Sequence, residues 1–280
     1  MKIRTSKTLA AAAVLAAFTG AAAAADWSDT SIGFRTGGKF AEPFNPNDIS
    51  KKIISLTHVS GYKYGTNFFN ADALQSDNKD MAVPGTGSGA QEVYVVYRNT
   101  VDLSKVTGTN YKSGMMRGLG VTFGFDWNAK NGDGYESKKR MLVLGPTIMF
   151  DVPGFLNVSL LELWESNAPL ATNRYSYKTH PMLTASWGIP LGSSGFSYEG
   201  FINVIASKGK NEFGGSTAAE TNFDSQIMYD MAGVMGTPKG SFKVGLEYQY
   251  WKNKFGNASS GAAGKGAFAK TPMLRAEYHF

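Results

Sequence analysis

Aromatic side chains that alternate with charged or amide side chains are the groups in this chain that could do chemistry. Tyr94 has this spacing with Glu92, and Arg98 follows four residues later. Such a surface can bind a small polar solute, because a ring offers a flat apolar face and its neighbours offer charge and hydrogen bonds. The residues predicted to bind a solute are Glu92, Tyr94, Arg98, Asp126, Asn128, Glu199, Phe201, Asn203, Glu247, Gln249, Trp251, Arg275 and Glu277.

These charged residues also have a purely structural interpretation. Opposite charges that face one another inside a protein can pair and fill the space between them. The sequence gives no distances between strands, so both interpretations stay open for each residue.

Three histidines, His58, His180 and His279, raise the alternative of an enzyme that acts on lipid. Such an enzyme needs a serine and a histidine within hydrogen-bond reach, oriented by a third polar group. His180 lies four residues from Ser176 and Thr184, but residues four apart on a strand are about 13 Å apart. The chain has no G-x-S-x-G element. For His279 the pattern favours a place at the membrane interface.

No cofactor or metal is predicted. Cysteine is absent, which excludes a disulfide framework, a thiol nucleophile and a cysteine-ligated metal. The acidic stretch 126–136 departs from the spacing of a calcium loop, and the glycine-rich stretch 85–89 neither follows a strand nor opens a helix.

The first 25 residues have the pattern of a secretory signal peptide. Lys2, Arg4 and Lys7 precede a short apolar run, and small residues end at Ala25. We expect cleavage there and one domain over 26–280. Without these three bases the chain has 25 Lys and Arg against 22 Asp and Glu. This small, unclustered excess gives no reason to expect a nucleic acid polymer as partner.

A period of two dominates the rest of the chain. From Leu119 to Trp127 every second residue is apolar, and the residues between them are small or polar. Since successive side chains of a strand point to opposite faces, this segment predicts a strand with one apolar face. The same pattern predicts twelve strands near residues 30–36, 53–60, 64–75, 92–102, 119–128, 140–151, 155–165, 175–189, 196–207, 223–235, 242–251 and 274–280.

The links between these strands alternate between short and long, except for a long link at 103–117 where a short one is expected. Transmembrane β-barrels have short periplasmic turns, longer external loops and an even number of antiparallel strands. A soluble β-sandwich also alternates. Aromatic residues near the ends of the apolar faces favour the barrel, as does the apolar Phe280 on the last strand. The prediction is an all-β, closed antiparallel transmembrane barrel in the bacterial outer membrane, in contact with its lipid.

Barrel size predicts what the interior does. Eight strands enclose a filled interior and sixteen or more enclose an open channel, so twelve predict a narrow, selective passage. Small inward residues such as Gly120, Gly124 and Gly245 are expected to leave space for it.

Several segments resemble the Tsx-like nucleoside-specific channel-forming proteins, in particular the subgroup called outer envelope proteins. They are DWSDTSIGFR (26–35), NPNDISKKIISLTHVSGYKYGTNFF (45–69), QEVYVVYRNTVDL (91–103), RMLVLGPTIMFDVPGFLNVSLL (140–161), YQYWKNKFGN (248–257) and LRAEYHF (274–280). The resemblance implies a monomeric twelve-stranded barrel and nucleosides as the solute class. It assigns no individual pore residue here, because the matching segments lie at strand ends and turns.

The sequence therefore predicts a channel for passive diffusion of small polar solutes, nucleosides first among them. The alternatives are a barrel enzyme acting on outer-membrane lipid and a structural or adhesive barrel that serves as a surface receptor. The strand that ends in Phe280 is expected to be recognised by the barrel-assembly machinery.

Overall fold

The computed structural model describes residues 25–83, 85, 87–132 and 134–280. The predicted signal peptide, apart from Ala25, lies outside these residues. The strands are β1 (Trp27–Phe40), β2 (Ile49–Tyr62), β3 (Gly65–Ser76), β4 (Gln91–Asp102), β5 (Met116–Lys130), β6 (Lys138–Phe150), β7 (Phe155–Asn167), β8 (Tyr175–Ser176), β9 (His180–Pro190), β10 (Phe196–Ile205), β11 (Glu220–Asp230), β12 (Phe242–Lys252) and β13 (Phe268–His279).

The strands form one closed antiparallel sheet. Consecutive long strands pair with one another, β6 pairs with β7, and β1 pairs with β13. β8 has only two residues and pairs with β7 beyond the point where β9 leaves it. With β8 and β9 sharing one position, the barrel has the twelve strands that the sequence predicts.

Short helices occupy some of the links. Helix α1 (Leu103–Thr107) follows β4, and α2 (Ala232–Met235) follows β11. The segment 223–235, predicted as one strand, is therefore divided, since β11 ends at Asp230. Two 3-10 turns, Lys254–Gly256 and Gly264–Ala267, lie between β12 and β13. Across the described ranges, no helix has the length and apolar character needed to span a membrane.

The two ends of the barrel differ. Strand β1 begins and β13 ends at one end, which we call the terminal rim, and the turns 63–64 and 151–154 lie there. The links at the other end, the loop rim, include 77–90, 206–219 and 253–267. This division assigns the terminal rim to the periplasm and the loop rim to the outside.

The outer surface is apolar. Leu142, Leu246 and Leu274 face outward with 60%, 65% and 63% of their surfaces exposed. Exposed apolar surface around a whole sheet is unfavourable in water, but it matches hydrocarbon, where a closed sheet also satisfies the backbone. The chain is therefore a β-barrel of the outer membrane.

One predicted face is wrong. The sequence pattern places Tyr175 and Tyr177 on the apolar outer face with the residues of β9. In the structure Tyr175 pairs with Asn167, which is fully buried on the inner side, and Tyr177 is 8% exposed. The chain leaves the sheet between β8 and β9. When it pairs with β7 again, the even-numbered residues of β9 face inward, whereas in β8 the odd-numbered Tyr175 does.

The inward glycines have a backbone role besides leaving space. A Cβ on Gly124 would lie 2.0 Å from the carbonyl oxygen of Tyr97, and one on Gly245 would lie 2.2 Å from that of Ile227. Neighbouring strands approach too closely there for any larger residue. Close strand packing, rather than lumen space alone, explains these glycines.

Ion pairs join strands across the interior. We call Asp72, Arg35, Glu247, Arg275 and Glu277 the central ion ladder. Arg35 contacts Asp72 and lies 2.9 Å from Glu247, and Arg275 lies 2.7 Å from Glu247 and 2.6 Å from Glu277. These contacts link β1, β3, β12 and β13, so the ladder ties together the strands on both sides of the β1–β13 closure.

We expect Arg35→Met to destabilise the barrel by about 3–5 kcal/mol, since it leaves two buried carboxylates without their shared cation. Urea unfolding in lipid vesicles measures this change. The control Lys112→Met breaks an ion pair with Asp151 whose side chains are 55% and 50% exposed, and such pairs contribute about 0–1 kcal/mol. Equal effects of the two substitutions would contradict a structural role for the ladder.

Candidate functional site: the barrel lumen

All thirteen residues predicted from the sequence to bind a solute lie on the lumen side of the barrel. The register shows this because directly paired residues share a face. Tyr94 pairs with Asn128, Gln249 with Asp224, and Gly245 with Arg275. Their inward orientation is as predicted, and their role in binding stays a prediction.

Strands β4 and β5 bring five of these residues together. Tyr94 donates its hydroxyl proton to Asp126 at 2.5 Å, and Arg98 lies 2.5 Å from the same carboxylate. Asn128 donates to Glu92 at 2.5 Å. The predicted structural interpretation therefore holds in part, since these groups are engaged with one another.

The central ion ladder contains three predicted residues, Glu247, Arg275 and Glu277, and two that sequence reasoning missed. Arg35 and Asp72 were missed because their strands alternate weakly, so their faces could not be assigned. His279 is the last residue of β13, and its side chain lies on the lumen side at the terminal rim, 2.8 Å from Asp29 and 3.4 Å from Glu277. Its expected height at the membrane interface stays a prediction.

Strands β10 to β12 form a wall of amides and acids. We call Glu199, Asn203, Asn222, Asp224, Gln226 and Gln249 the amide wall. Gln249 donates to Asp224 at 3.0 Å and Gln226 donates to Glu199 at 3.2 Å. Phe201 pairs with Asp224 and adds a ring to this wall. The wall offers hydrogen-bonding groups beside an aromatic face.

A turn from the β12–β13 loop crosses the lumen near the loop rim. We call Asn253–Asn257 the crossing turn. The ring centroid of Phe255 lies 3.3 Å from the Lys139 ammonium of β6, on the opposite side of the barrel. The ring also packs edge-on against Trp251 at 4.8 Å, and its backbone N–H donates to Glu220.

The backbone of the crossing turn is strained. Asn253 and Phe255 have φ values of 55° and 60°, a left-handed conformation that is uncommon for residues other than glycine. Such conformations persist where surrounding contacts enforce them, and they cluster at functional positions. The contacts of Phe255 therefore hold the crossing turn in place across the lumen at the loop rim.

Glu42 joins three parts of the loop rim. Its carboxylate lies 2.7 Å from Lys51, 3.1 Å from Lys254 and 3.5 Å from Lys130. Burial alone would raise the pKa of Glu42, but these three ammonium groups outweigh burial and hold it well below its usual value. Glu42 therefore stays charged and ties the β1–β2 loop to the crossing turn.

Glu212 holds the β10–β11 loop against the β5–β6 loop and the end of β7. It accepts hydrogen bonds from Tyr135, from Tyr177 at 2.7 Å and from Asn167 at 3.1 Å. Burial raises the pKa of Glu212, yet the two phenol donors prevail and the net pKa is lowered. We call this contact the Glu212 latch.

Sequence reasoning missed Glu42, Glu212 and Phe255 because all three lie in loops. Period-two alternation assigns a face only within strands. The only local signal is the composition of segment 248–257, where aromatic and basic residues alternate just after a strand.

His180 and His279 contact carbonyl and carboxylate oxygens in the described structure, and these contacts differ from the serine–histidine pair of a lipid hydrolase. His180 is buried, and its Nδ1 lies 2.9 Å from the Lys178 carbonyl oxygen. On the outer face, Thr30 Oγ1 and His58 Nδ1 lie 2.8 Å apart. In the part of the chain that the structure covers, no group of three or more histidine or acidic side chains is arranged to hold a metal ion.

The comparison with known proteins finds structures of similar fold but no matching family. No protein-family model matches the chain, and no curated protein matches it significantly. The NanC porin is 11% identical over 90% of this chain and 99% of its own, with a TM-score of 0.47. An outer membrane channel from Pseudomonas putida F1 is 10% identical over 92% of this chain and 96% of its own, with a TM-score of 0.47.

The KdgM porin is 9% identical over 89% of this chain and 99% of its own, with a TM-score of 0.44. These similar structures are outer-membrane porins and channels. At such values the likeness carries no functional argument, and the resemblance to the Tsx-like family is not confirmed by it.

We expect Glu212→Gln to release the β10–β11 loop, because a neutral amide loses hydrogen bonds to a charged acceptor. A hydrogen bond to a charged group contributes at least about 1.5 kcal/mol to stability. Losing that much should accelerate amide exchange in residues 206–219 about tenfold. Hydrogen–deuterium exchange in detergent micelles measures this. Glu136→Gln is the control, since no hydrogen bond to the Glu136 carboxylate is found among the described residues; equal acceleration in both variants would contradict the latch.

The latch should also depend on pH in the wild-type protein. The pKa of Glu212 is lowered in the folded state, so its stabilisation is present above the ordinary value of 4.5 and is lost as the pH falls below it. Loop exchange, corrected for the intrinsic rate, should therefore rise on acidification from pH 5 in the wild type and stay flat in Glu212→Gln.

Proposed function

We propose that the protein is an outer-membrane channel through which small polar solutes diffuse passively, with nucleosides as the most favoured class. The observation that carries this proposal is the contrast between the two faces of the closed sheet. The outer face is apolar, and the inner face carries charged, amide and aromatic side chains along most strands. A polar inner wall lowers the cost of moving a polar solute across hydrocarbon.

The passage is narrow. Twelve strands enclose less space than the wide porins, and paired charges such as Arg98 and Asp126 project into that space. The solute must also pass the crossing turn at the loop rim. Opening there needs only local rearrangement of loops, because the strands remain paired throughout.

Nucleosides fit the chemistry of the wall. Phe201, Tyr94 and Trp251 present rings beside hydrogen-bonding neighbours, and stacking of a base on a ring contributes about 1–3 kcal/mol. Ribose hydroxyls would find acceptors and donors on the amide wall. The sequence resemblance to the Tsx-like proteins points to the same solute class. Binding of this strength is weak enough to permit release, as transport requires.

The proposal is tested by single-channel recording in planar bilayers. Nucleosides should reduce ion conductance reversibly as they occupy the lumen, and free bases and sugars should do so less. Phe201→Ala should weaken nucleoside block by about 5- to 150-fold, since it removes one stacking surface. The control is Phe123→Ala, which removes a ring from the lipid face. Conductance that is insensitive to nucleosides would leave a channel but remove this solute class.

A second measurement addresses the crossing turn. Phe255→Gly should raise the single-channel conductance, because it removes the ring that reaches Lys139 while glycine accepts the left-handed backbone without strain. Phe44→Gly is a matched control, since Phe44 also has a positive φ, 66°, but is 68% exposed outside the lumen. Unchanged conductance in Phe255→Gly would show that the constriction lies elsewhere.

A further inference from the structure

Acidic and basic groups are not distributed equally along the lumen. At the loop rim the bases Lys51, Lys130 and Lys254 face the acids Glu42 and Asp80, with Glu92 3.7 Å from Lys51. Charge is balanced in this cluster, and a second cluster at the same rim has Lys208 between Glu165 and Glu220. A further excess of acid lies deeper in the lumen, on the strands from β10 to β13.

In this inner region each arginine is shared between acids. Arg35 contacts both Asp72 and Glu247, and Arg275 contacts both Glu247 and Glu277. Two guanidinium groups therefore face three carboxylates. The ladder leaves the inner wall with a negative charge that its own arginines do not neutralise.

One further acid, Glu199, extends this excess. Its neighbour Asp224 is buried beside Glu247 and accepts a hydrogen bond from Gln249, so it is counted as a hydrogen-bonding group and not as a charge. Glu199 has one cation nearby, the Lys243 ammonium at 3.9 Å, and both side chains are partly exposed. Asp224 and Glu199 lie on neighbouring strands, β11 and β10.

Unused hydrogen-bond acceptors on the same side of the lumen are an independent observation. The buried side-chain oxygens Oδ1 of Asn157 and Asn222 have no hydrogen-bond partner in the described structure. Asn222 lies two residues from Asp224 on β11, so its side chain points to the same face. Buried acceptors are normally satisfied, and these two are suited to a solute that donates hydrogen bonds.

We propose that the lumen passes cationic and hydrogen-bond-donating solutes in preference to anions, and that the acid excess of the central ion ladder, together with Glu199 on the amide wall, sets this preference. This inference rests on the proposed channel function. It goes beyond that function because passive diffusion alone does not determine whether cations or anions pass more readily. An anion entering the inner region would meet carboxylates whose counter-charges are already shared, whereas a cation would complete their pairing.

The experiment is a reversal-potential measurement across planar bilayers that hold the purified full-length barrel in a KCl gradient. The wild type should show a permeability ratio of potassium to chloride clearly above one. Glu199→Gln should lower that ratio by about two- to fivefold, the effect of removing about 0.5–1 kcal/mol of attraction. The glutamine retains an oxygen for the Gln226 hydrogen bond, so local packing is conserved.

Asp48→Asn provides the matched control, because Asp48 is an exposed acid of the β1–β2 loop and lies outside both the central ion ladder and the amide wall. Heat-modified migration on gels verifies that each variant is folded. Chloride preference, or a ratio of one, would overturn the inference while leaving the channel. The same ratio change in Asp48→Asn would overturn the assignment to the amide wall. A folded wild-type barrel without conductance would overturn both the channel and its selectivity.

Discussion

Hydrocarbon offers no hydrogen-bond partners, and this constraint determines the rest of the structure. Every backbone N–H and C=O within the membrane must be paired by the protein itself. A sheet meets this requirement only by closing, as β1 and β13 do here. Closure then divides the side chains into two populations, one in lipid and one in the lumen, and the alternating sequence follows from that division.

Closure also explains why the interior is rich in ion pairs. A narrow lumen solvates isolated charges less well than bulk water does, so pairing of opposite charges is favourable there. Arg35 and Arg275 meet this need by bridging carboxylates on both sides of the β1–β13 closure. The side chains that stabilise the barrel are thus the same ones that a solute meets, which couples stability to permeation.

The sequence predicted the twelve strands and the inward face of every proposed binding residue, because alternation is a local signal. It misplaced Tyr175 and Tyr177, where the outcome depends on a break in the ladder. The sharing of Asp126 between Tyr94 and Arg98 could not be predicted either. Such contacts depend on strand register and on distances, which a single sequence does not contain.

The loop residues were beyond sequence reasoning for a different reason. Glu42, Glu212 and Phe255 act through partners on distant strands, and each of these contacts is a small part of the total stability. They can therefore rearrange while the paired strands stay intact. The sheet at membrane depth is therefore held by continuous strand pairing, whereas the loop rim is held by a few side-chain contacts that can change without breaking the sheet.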